Sequence, residues 1–229
     1  TSYPVFQNGQ LSGAVTFEHT EETIQKYYQS IQDTRQALKH FSGSAAPVRF
    51  SGYTFKNVIG SSEKLRSAAE LAQRVAPQNS PVMLVGETGT GKEIFAQSIH
   101  RSSPRAGKKF VAINCAAIPE TLIESLLFGT AKGSFTGSED KAGYFEEASG
   151  GTLFLEKIEY LAPELQSALL QVIKQGVLTR LDARRLIPVD VKVIATTTVD
   201  LANLVEQNRF SRQLYYALHS FEIVIPPLR

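Results

Sequence analysis

The sequence predicts an α/β protein built on a parallel sheet with helices on both faces. From about residue 53 onward, short runs rich in β-prone residues alternate with amphipathic segments of helical length. A glycine-rich loop, GETGTGKE at 86–93, joins one predicted strand to one predicted helix. Because strands that alternate with helices pair in parallel, the pattern indicates a sheet covered on both sides.

The predicted strands and helices follow one another in order along the chain. The strands are 81–85, 108–115, 150–156, 189–197 and 221–225, and the helices are 93–102, 121–129, 163–176 and 212–219. Gly176 provides a stop signal for the third helix. Pro226 ends the last strand because it lacks a backbone N–H for the ladder.

Composition limits the class of protein. The chain has 229 residues, 42% of them hydrophobic, and a net charge of +2, which gives no reason to expect a nucleic-acid surface. The single cysteine, Cys115, excludes an internal disulfide and predicts a small core residue in a reducing, cytoplasmic compartment. No apolar run approaches the roughly 20 residues needed to cross a bilayer. The only methionine is Met83, so we expect a longer protein than this chain.

The N-terminal residues predict a hairpin and then a linker. Within 1–18, two β-prone runs flank Asn8 and Gly9, a strong turn pair. A lone hairpin is marginal in water, so it is expected to end a larger upstream domain. Residues 20–39 predict a helix whose heptad spacing fits either a short coiled coil or a solvated linker helix. The predicted domains are 1–18, 19–52 and 53–229.

The loop GETGTGKE has the context of a phosphate-binding loop, since it follows a strand and opens a helix. Its glycines let successive N–H groups curl around an anion, and the helix adds its positive end. Lys92 is placed to reach the outer phosphates. A chance glycine-rich turn is the alternative, and the strand, spacing, lysine and helix together argue against it. The candidate residues are Gly86, Glu87, Thr88, Gly89, Thr90, Gly91, Lys92 and Glu93.

The segment GGTLFLEKIE, 150–159, looks like the acidic strand end of an ATPase with one charge reversed. Glu156 closes the predicted strand, and Lys157 stands where a second carboxylate is expected. An unperturbed lysine has a pKa of about 10.4, so at neutral pH it is protonated and provides no general base. Lys157 could instead hold an anion, either Glu156 or a phosphate.

These two segments, with NCAAIPE, LLFGTAKGSFTGS, DVKVIATTT and IPPLR, resemble the central AAA+ domain of bacterial enhancer-binding transcriptional regulators. Those regulators couple ATP hydrolysis to remodelling of sigma-54 RNA polymerase. The resemblance runs from about Val58 to Arg229. It implies a P-loop NTPase (AAA+) fold with ATP and Mg²⁺ as cofactors, and 1–18 is similar to the closing hairpin of a PAS-type sensor. A helical lid and a DNA-binding domain would follow this chain.

The resemblance also assigns residues to the nucleotide. Ile59 and Gly60 lie where the family packs the adenine ring. Gly150 and Gly151 are expected to belong to the nucleotide site. Glu156 is expected to hold Mg²⁺ through water. The family's phosphate loop ends in Glu, so Glu93 is no departure.

Several catalytic positions depart from the family. The family's strand ends Asp-Glu; Glu156 keeps the first charge but moves the carboxylate by about one bond, and a misplacement of about 1 Å can cost on the order of 100-fold in rate. Lys157 replaces the base, and Thr198 replaces the polar Asn that senses the γ-phosphate. Ser211 and Ala217 match two arginines that reach a neighbouring subunit's nucleotide, an interaction worth roughly a thousandfold. Arg212 is one residue out of register, which turns it about 100° away.

The loop GSFTGS, 133–138, matches the surface loop with which the family grips sigma-54. Phe135 and Thr136 are kept, and an exposed phenylalanine between glycines suits a partner contact. An ordinary glycine-rich hairpin turn is the alternative. The implied partners are RNA polymerase or its sigma factor, further copies of this chain in a dimer or hexamer, and DNA through a domain outside this chain.

Three functions follow from these residues. The leading interpretation is the ATP-binding core of a sigma-54-type transcriptional regulator whose hydrolysis is weak or lost. The second is a fully active ATPase that remodels sigma-54 RNA polymerase and tolerates its substitutions. The third is a protein-interaction scaffold whose nucleotide site is a relic.

Overall fold

The computed structural model describes residues 2–7, 10–16, 52–131, 140–181, 183 and 185–227. The chain divides into two compact units, Thr1–Ala45 and Ala46–Arg229. In the first unit, β1 (Ser2–Gln7) pairs antiparallel with β2 (Gln10–Thr16), which confirms the predicted hairpin. The predicted helix at 20–39 lies outside the described residues.

The second unit contains the predicted α/β fold. Its elements are α1 (Glu63–Val75), β3 (Val82–Val85), α2 (Lys92–Arg101), β4 (Phe110–Asn114), α3 (Glu120–Phe128), α4 (Tyr144–Glu147), β5 (Thr152–Glu156), α5 (Pro163–Gln175), β6 (Val177–Thr179), β7 (Leu186–Pro188), β8 (Lys192–Thr197), α6 (Leu201–Glu206), α7 (Arg212–Leu218) and β9 (Phe221–Val224). Five strands form one sheet in the order β4-β5-β8-β3-β9, and each neighbouring pair is parallel. Each predicted strand and helix from 81 to 225 is present.

Two hydrophobic cores lie on the two faces of this sheet. Successive side chains of a strand point to opposite faces, so adjacent residues join different cores. Met83 and Leu155 belong to one core, whereas Leu84, Phe154 and Ile194 belong to the other. Because β5 and β8 are covered on both sides, they read as nearly continuous apolar runs.

Helix α1 was not among the predicted elements. Ser62 caps it by accepting a hydrogen bond from the N–H of Leu65. Its buried residues recur at helical spacing, and two of the four are alanines: Leu65, Ala68, Ala72 and Val75. Helix α6 and the hairpin β6–β7 were also not predicted.

A buried lysine ties the start of β8 to the end of α1. Lys192 is 1% exposed, and its Nζ donates to the carbonyls of Val75, Ala76 and Gln78 at 3.2, 2.7 and 2.7 Å. The last carbonyls of a helix have no partner within the helix, and the ammonium satisfies them. Burial, with a contribution from Arg105, lowers the pKa of Lys192 to about 8. The group therefore remains largely protonated at pH 7.

We expect Lys192→Met to lower the free energy of unfolding by about 3 kcal/mol, because it strands three carbonyls in a buried place. Urea unfolding followed by circular dichroism at pH 7 measures this, and the chain has no tryptophan to serve as a fluorescent probe. Lys174→Met, which removes an exposed lysine from α5, is the matched control and should change stability by less than about 0.5 kcal/mol. Equal effects of the two substitutions would contradict the role assigned to Lys192.

Candidate nucleotide-binding site

The glycine-rich loop lies between β3 and α2. Gly91 is the N-cap of α2 with φ +87°, and Gly89 has φ +84°, a region that glycine adopts without strain. At Gly86 a Cβ would lie 2.8 Å from the carbonyl oxygen of Ile225 and 2.9 Å from the hydroxyl of Thr90. The sequence needs glycine at these positions because the loop curls tightly around the start of the helix.

Lys92 points back into the loop. The residue is 8% exposed, and its Nζ donates to the carbonyls of Gly86 and Glu87 at 2.7 Å each. Burial lowers the pKa of Lys92, and the nearby carboxylates of Glu156 and Glu159 oppose that shift. The ammonium therefore lies inside the loop at the positive end of α2, where both would attract an anion.

The loop and two strand ends line one cleft of about 310 Å³. The carboxyl ends of β5 and β8 contribute to it, as parallel strands of one sheet must if they end at the same edge. Its lining residues are Tyr53, Thr88, Gly89, Gly91, Lys92, Glu93, Ile94, Glu156, Lys157 and Thr198. The structure thus brings the predicted phosphate loop together with all three predicted catalytic positions, and it adds Tyr53 and Ile94.

An apolar pocket of about 200 Å³ adjoins the cleft and shares Gly89, Gly91 and Ile94 with it. Its lining residues are Asn57, Val58, Ile59, Leu65, Gly89, Thr90, Gly91, Ile94 and Phe95. The side chain of Ile59 is 85% exposed, so a large apolar group borders the pocket without a covering partner. Next to it, Gly60 has φ +152°. An apolar pocket beside a phosphate loop suits the base of a nucleotide.

Gly150 and Gly151 do not belong to this site, and their assignment to the nucleotide was wrong. They precede β5, whereas Glu156 ends it, and a strand of that length separates the two positions by roughly 16 Å. A Cβ at Gly151 would lie 2.1 Å from the carbonyl oxygen of Lys109. The N–H of Gly150 donates to the carbonyl of Asp190 at 2.8 Å. These glycines allow close backbone packing at the opposite edge of the sheet.

The chain turns sharply where β5 ends. Lys157 has φ +56° and ψ +58°, a left-handed conformation that costs a non-glycine residue about 1–2 kcal/mol. Its N–H donates to the hydroxyl of Thr196 at 3.1 Å, which holds this conformation. Within the described residues the ammonium of Lys157 forms no ion pair, and no hydrogen bond joins it to Glu156. It lines the cleft as an uncommitted cation.

Thr198 directs both of its donors away from the cleft. Its backbone N–H and its hydroxyl donate to Oε1 of Glu159, at 3.1 and 2.8 Å. Glu159 lies in a short 3₁₀ turn, Ile158–Tyr160, that follows Lys157. Sequence reasoning missed Glu159 because no motif contains it; its only signal was a second carboxylate three residues after Glu156.

The two positions expected to hold arginines have local structural roles. Ser211 is the N-cap of α7, its hydroxyl accepts from the N–H of Leu214, and its own N–H donates to Oε1 of Gln166 at 2.6 Å. Ala217 is half-buried on the same helix. Arg212 is exposed at the first residue of α7.

Phe135 and Thr136 lie outside the described residues, so their contact with a partner stays a prediction. The chain on both sides of that segment is held together: Thr130 pairs with Lys141. Arg180, from beyond α5, donates to Asp140 and to both carboxylate oxygens of Glu146, each at 2.7 Å.

Comparison with known proteins identifies the family. Residues 58–224 match the Sigma-54 interaction domain. The chain belongs to this family. It is 60% identical over 178 residues to the glycerol metabolism operon regulatory protein of Citrobacter freundii, covering 77% of this chain and 27% of that protein. It is 56% identical, with the same coverage, to the PTS-dependent dihydroxyacetone kinase operon regulatory protein of Escherichia coli K12. The departures described above suggested such a regulator, and this similarity supports it. The chain spans about a quarter of the length of these relatives.

Solved structures agree with this assignment. NtrX from Brucella abortus in complex with ADP has a TM-score of 0.70 at 29% identity, covering 89% of this chain and 42% of that one. Its complex with ATP has a TM-score of 0.69, covering 91% and 45%. A P-loop NTPase domain of a sigma-54 transport activator from Escherichia coli, at TM-score 0.53 and 24% identity, covers 75% of this chain and 100% of that one and shows the fold alone. The predicted P-loop NTPase fold is therefore confirmed. No helix in the described part of the chain has the length and apolarity to cross a membrane.

We expect Ile59→Asn to weaken ADP binding about tenfold, because it removes roughly half of the apolar contact that a buried isoleucine provides. Isothermal titration calorimetry measures the dissociation constant. Leu186→Asn, at another exposed aliphatic residue, is the control and should leave binding unchanged. Neither variant should unfold at a lower temperature, since both side chains are exposed. Unchanged affinity in Ile59→Asn would rule out the apolar pocket as the base site.

Cys115 provides a probe of the same region. The thiol is 3% exposed, and burial raises its pKa to about 12. Since the thiolate is the reactive form, we expect a disulfide reagent at pH 8 to modify the folded chain only as fast as the structure opens. Saturating ADP should slow that reaction further, and denatured protein should react with one equivalent. Rapid, ADP-independent modification would contradict this.

Proposed function

We propose that this chain is the nucleotide-binding domain of a bacterial transcriptional regulator, that it binds ATP with Mg²⁺, and that it hydrolyses ATP weakly or not at all. The complete phosphate loop and the adjoining apolar pocket support binding. The observation that carries the proposal of weak hydrolysis is the state of the strand ends, where Lys157 lines the cleft as an uncommitted cation and Thr198 donates only to Glu159.

The site suits a magnesium ion that arrives with the nucleotide. Mg²⁺ prefers oxygen ligands and binds through one or two carboxylates, phosphates and water. Glu156 lines the cleft and its carboxylate has no hydrogen-bond partner in the described residues, so it is available to a hydrated ion. The described residues contain no group of three His, Cys, Asp or Glu that could hold a metal. Glu156 would therefore hold the ion together with the phosphates, and the ion would neutralise phosphate charge.

Hydrolysis needs groups that this cleft arranges poorly. Of the residues that line it, Glu156 and Glu93 carry carboxylates, and Glu93 already accepts from Nε2 of Gln97 at 3.0 Å. If Glu156 is directed to magnesium, no lining carboxylate is left to orient the attacking water. Ser211 and Ala217 provide no cation to a neighbouring subunit. Binding depends on the loop, whereas turnover depends on the altered groups.

A fully active sigma-54 remodelling ATPase is the second candidate, and membership of the Sigma-54 interaction domain family favours it. Under either function the partner is RNA polymerase or its sigma factor, contacted through Phe135 and Thr136. The chain would assemble as a dimer or hexamer in the cytoplasm, and a domain outside it would bind DNA. A scaffold with a relic site is the third candidate, which requires that regulation survive the loss of nucleotide binding.

We expect phosphate release from ATP by the assembled protein to stay below about 0.1 s⁻¹, at the low end for enzymes. Introducing Lys157→Glu, Ser211→Arg and Ala217→Arg together should raise turnover at least tenfold, because it provides a base and two charges for the neighbouring nucleotide. Lys157→Glu alone should do little. The triple variant loses the α7 cap, at about 1 kcal/mol, so its melting temperature must be checked.

Lys92→Ala is the binding control, and it should abolish association with both ADP and ATP. Wild-type turnover above 0.1 s⁻¹ that Lys92→Ala abolishes would overturn weak hydrolysis and favour the active remodelling ATPase. Transcriptional regulation that persists unchanged in Lys92→Ala would favour the scaffold instead.

A further inference from the structure

Glu159 is a charged group at the nucleotide site that the proposed mechanism does not use. Its Oε1 accepts both hydrogen bonds that Thr198 can donate, at 3.1 Å from the backbone N–H and 2.8 Å from the hydroxyl. Thr198 itself lines the phosphate cleft. The carboxylate therefore holds the donors of a cleft residue on the side away from the cleft.

The second oxygen of the same carboxylate is buried. Oε2 of Glu159 is shielded from solvent and has no hydrogen-bond partner among the described residues. An unsatisfied buried oxygen is costly, so the charge needs a favourable electrostatic neighbour. Lys92 supplies one, since Glu159 helps to hold that ammonium charged against the effect of its burial.

The location of Glu159 follows from the strain at Lys157. The left-handed residue ends β5 and starts the 3₁₀ turn Ile158–Tyr160, and the N–H of Tyr160 donates to the carbonyl of Lys157 at 3.1 Å. This tight turn brings Glu159 underneath the end of the neighbouring strand β8, where Thr198 follows. A conformation that costs energy is thus held by contacts that place a carboxylate behind the cleft.

We propose that Glu159 sets the nucleotide preference of this site, favouring a nucleoside diphosphate over a triphosphate. The inference rests on the proposed nucleotide-binding function. A diphosphate is held by the loop N–H groups and the start of α2, and it leaves Glu159 undisturbed. The third phosphate of a triphosphate lies at the strand ends, where it meets a nearby carboxylate charge and a threonine whose donors are engaged. It must also share Lys92 with Glu159.

Glu159 acts here as a positioning and specificity-determining residue. Its carboxylate does not line the cleft, and its free oxygen is shielded from solvent, so a water bound in the cleft is out of its reach. Its effect passes through the orientation of Thr198 and through charge. A merely structural role would change the affinities for both nucleotides alike, whereas this role changes their ratio.

The test compares the dissociation constants of ADP and of a non-hydrolysable ATP analogue, each with Mg²⁺, by isothermal titration calorimetry on the full chain. Wild type should bind ADP about tenfold more tightly than the analogue. Glu159→Gln should raise affinity for the analogue about tenfold and leave that for ADP within threefold, as expected for removal of one nearby charge at an effective dielectric constant of about 20. Glu164→Gln, which removes an exposed carboxylate from the first turn of α5, is the charge-matched control and should change neither.

A second pair of variants separates the hydrogen bonds from the charge. Thr198→Val should not change the ratio while Glu159 is present, because the hydroxyl is already engaged. In the Glu159→Ala background the hydroxyl is released, and Thr198→Val should then cost about fivefold in affinity for the analogue alone. This pair also decides the matter if Glu159→Gln does not fold, as judged by circular dichroism.

The two proposals fail in different ways. If wild type binds neither nucleotide, both the proposed function and this inference are overturned. If both nucleotides bind and the ratio is the same in wild type and in the Glu159 variants, only this inference is overturned. A tenfold preference for ADP that disappears in Glu159→Gln and persists in Glu164→Gln supports it.

Discussion

The pairing of β3 with β8 positions the groups of the candidate site. In this parallel register Val85 lies opposite Thr197, so the phosphate loop starts directly beside Thr198. The N–H of Gly86 donates to the carbonyl of Thr197 at 3.3 Å and extends that pairing into the loop. On the other side of β8, Leu155 lies opposite Ala195, which brings Glu156 and Lys157 to the same edge. The chemistry of the site is therefore set by which residues end three adjacent strands.

The same edge separates the requirements for binding from those for hydrolysis. Binding an anion uses backbone N–H groups, the helix terminus and Lys92, and these depend on glycines rather than on the strand-end side chains. Hydrolysis needs a base, a γ-phosphate donor and a cation from another subunit, each supplied by one side chain. Substitution of those side chains leaves the loop intact. A fold of this kind can keep a nucleotide as a ligand after it has stopped using it as a substrate, and a bound ligand still stabilises the fold.

The extent to which sequence predicted the structure depended on how local each signal was. The phosphate loop and the ends of β5 and β8 were predicted, because a buried strand followed by glycine or by a charge is a local pattern. Helix α1 was missed although Ser62 marks its start, since Ala68 and Ala72 give little contrast in hydrophobicity. Gly150 and Gly151 were placed wrongly because neighbours in a motif can lie at opposite ends of a strand.

Glu159 was beyond prediction for a different reason. Its contact with Thr198 joins residues 39 positions apart, and it depends on a left-handed conformation at Lys157 that residue type alone disfavours. The hydroxyl of Thr196 stabilises that conformation from the neighbouring strand, so tertiary contacts override local preference. The strain, the turn and the paired hydrogen bonds form one arrangement, in which each part holds the next. A carboxylate delivered in this way alters the charge of the site without any change in the phosphate loop, and so nucleotide preference can change while the fold and the loop stay the same.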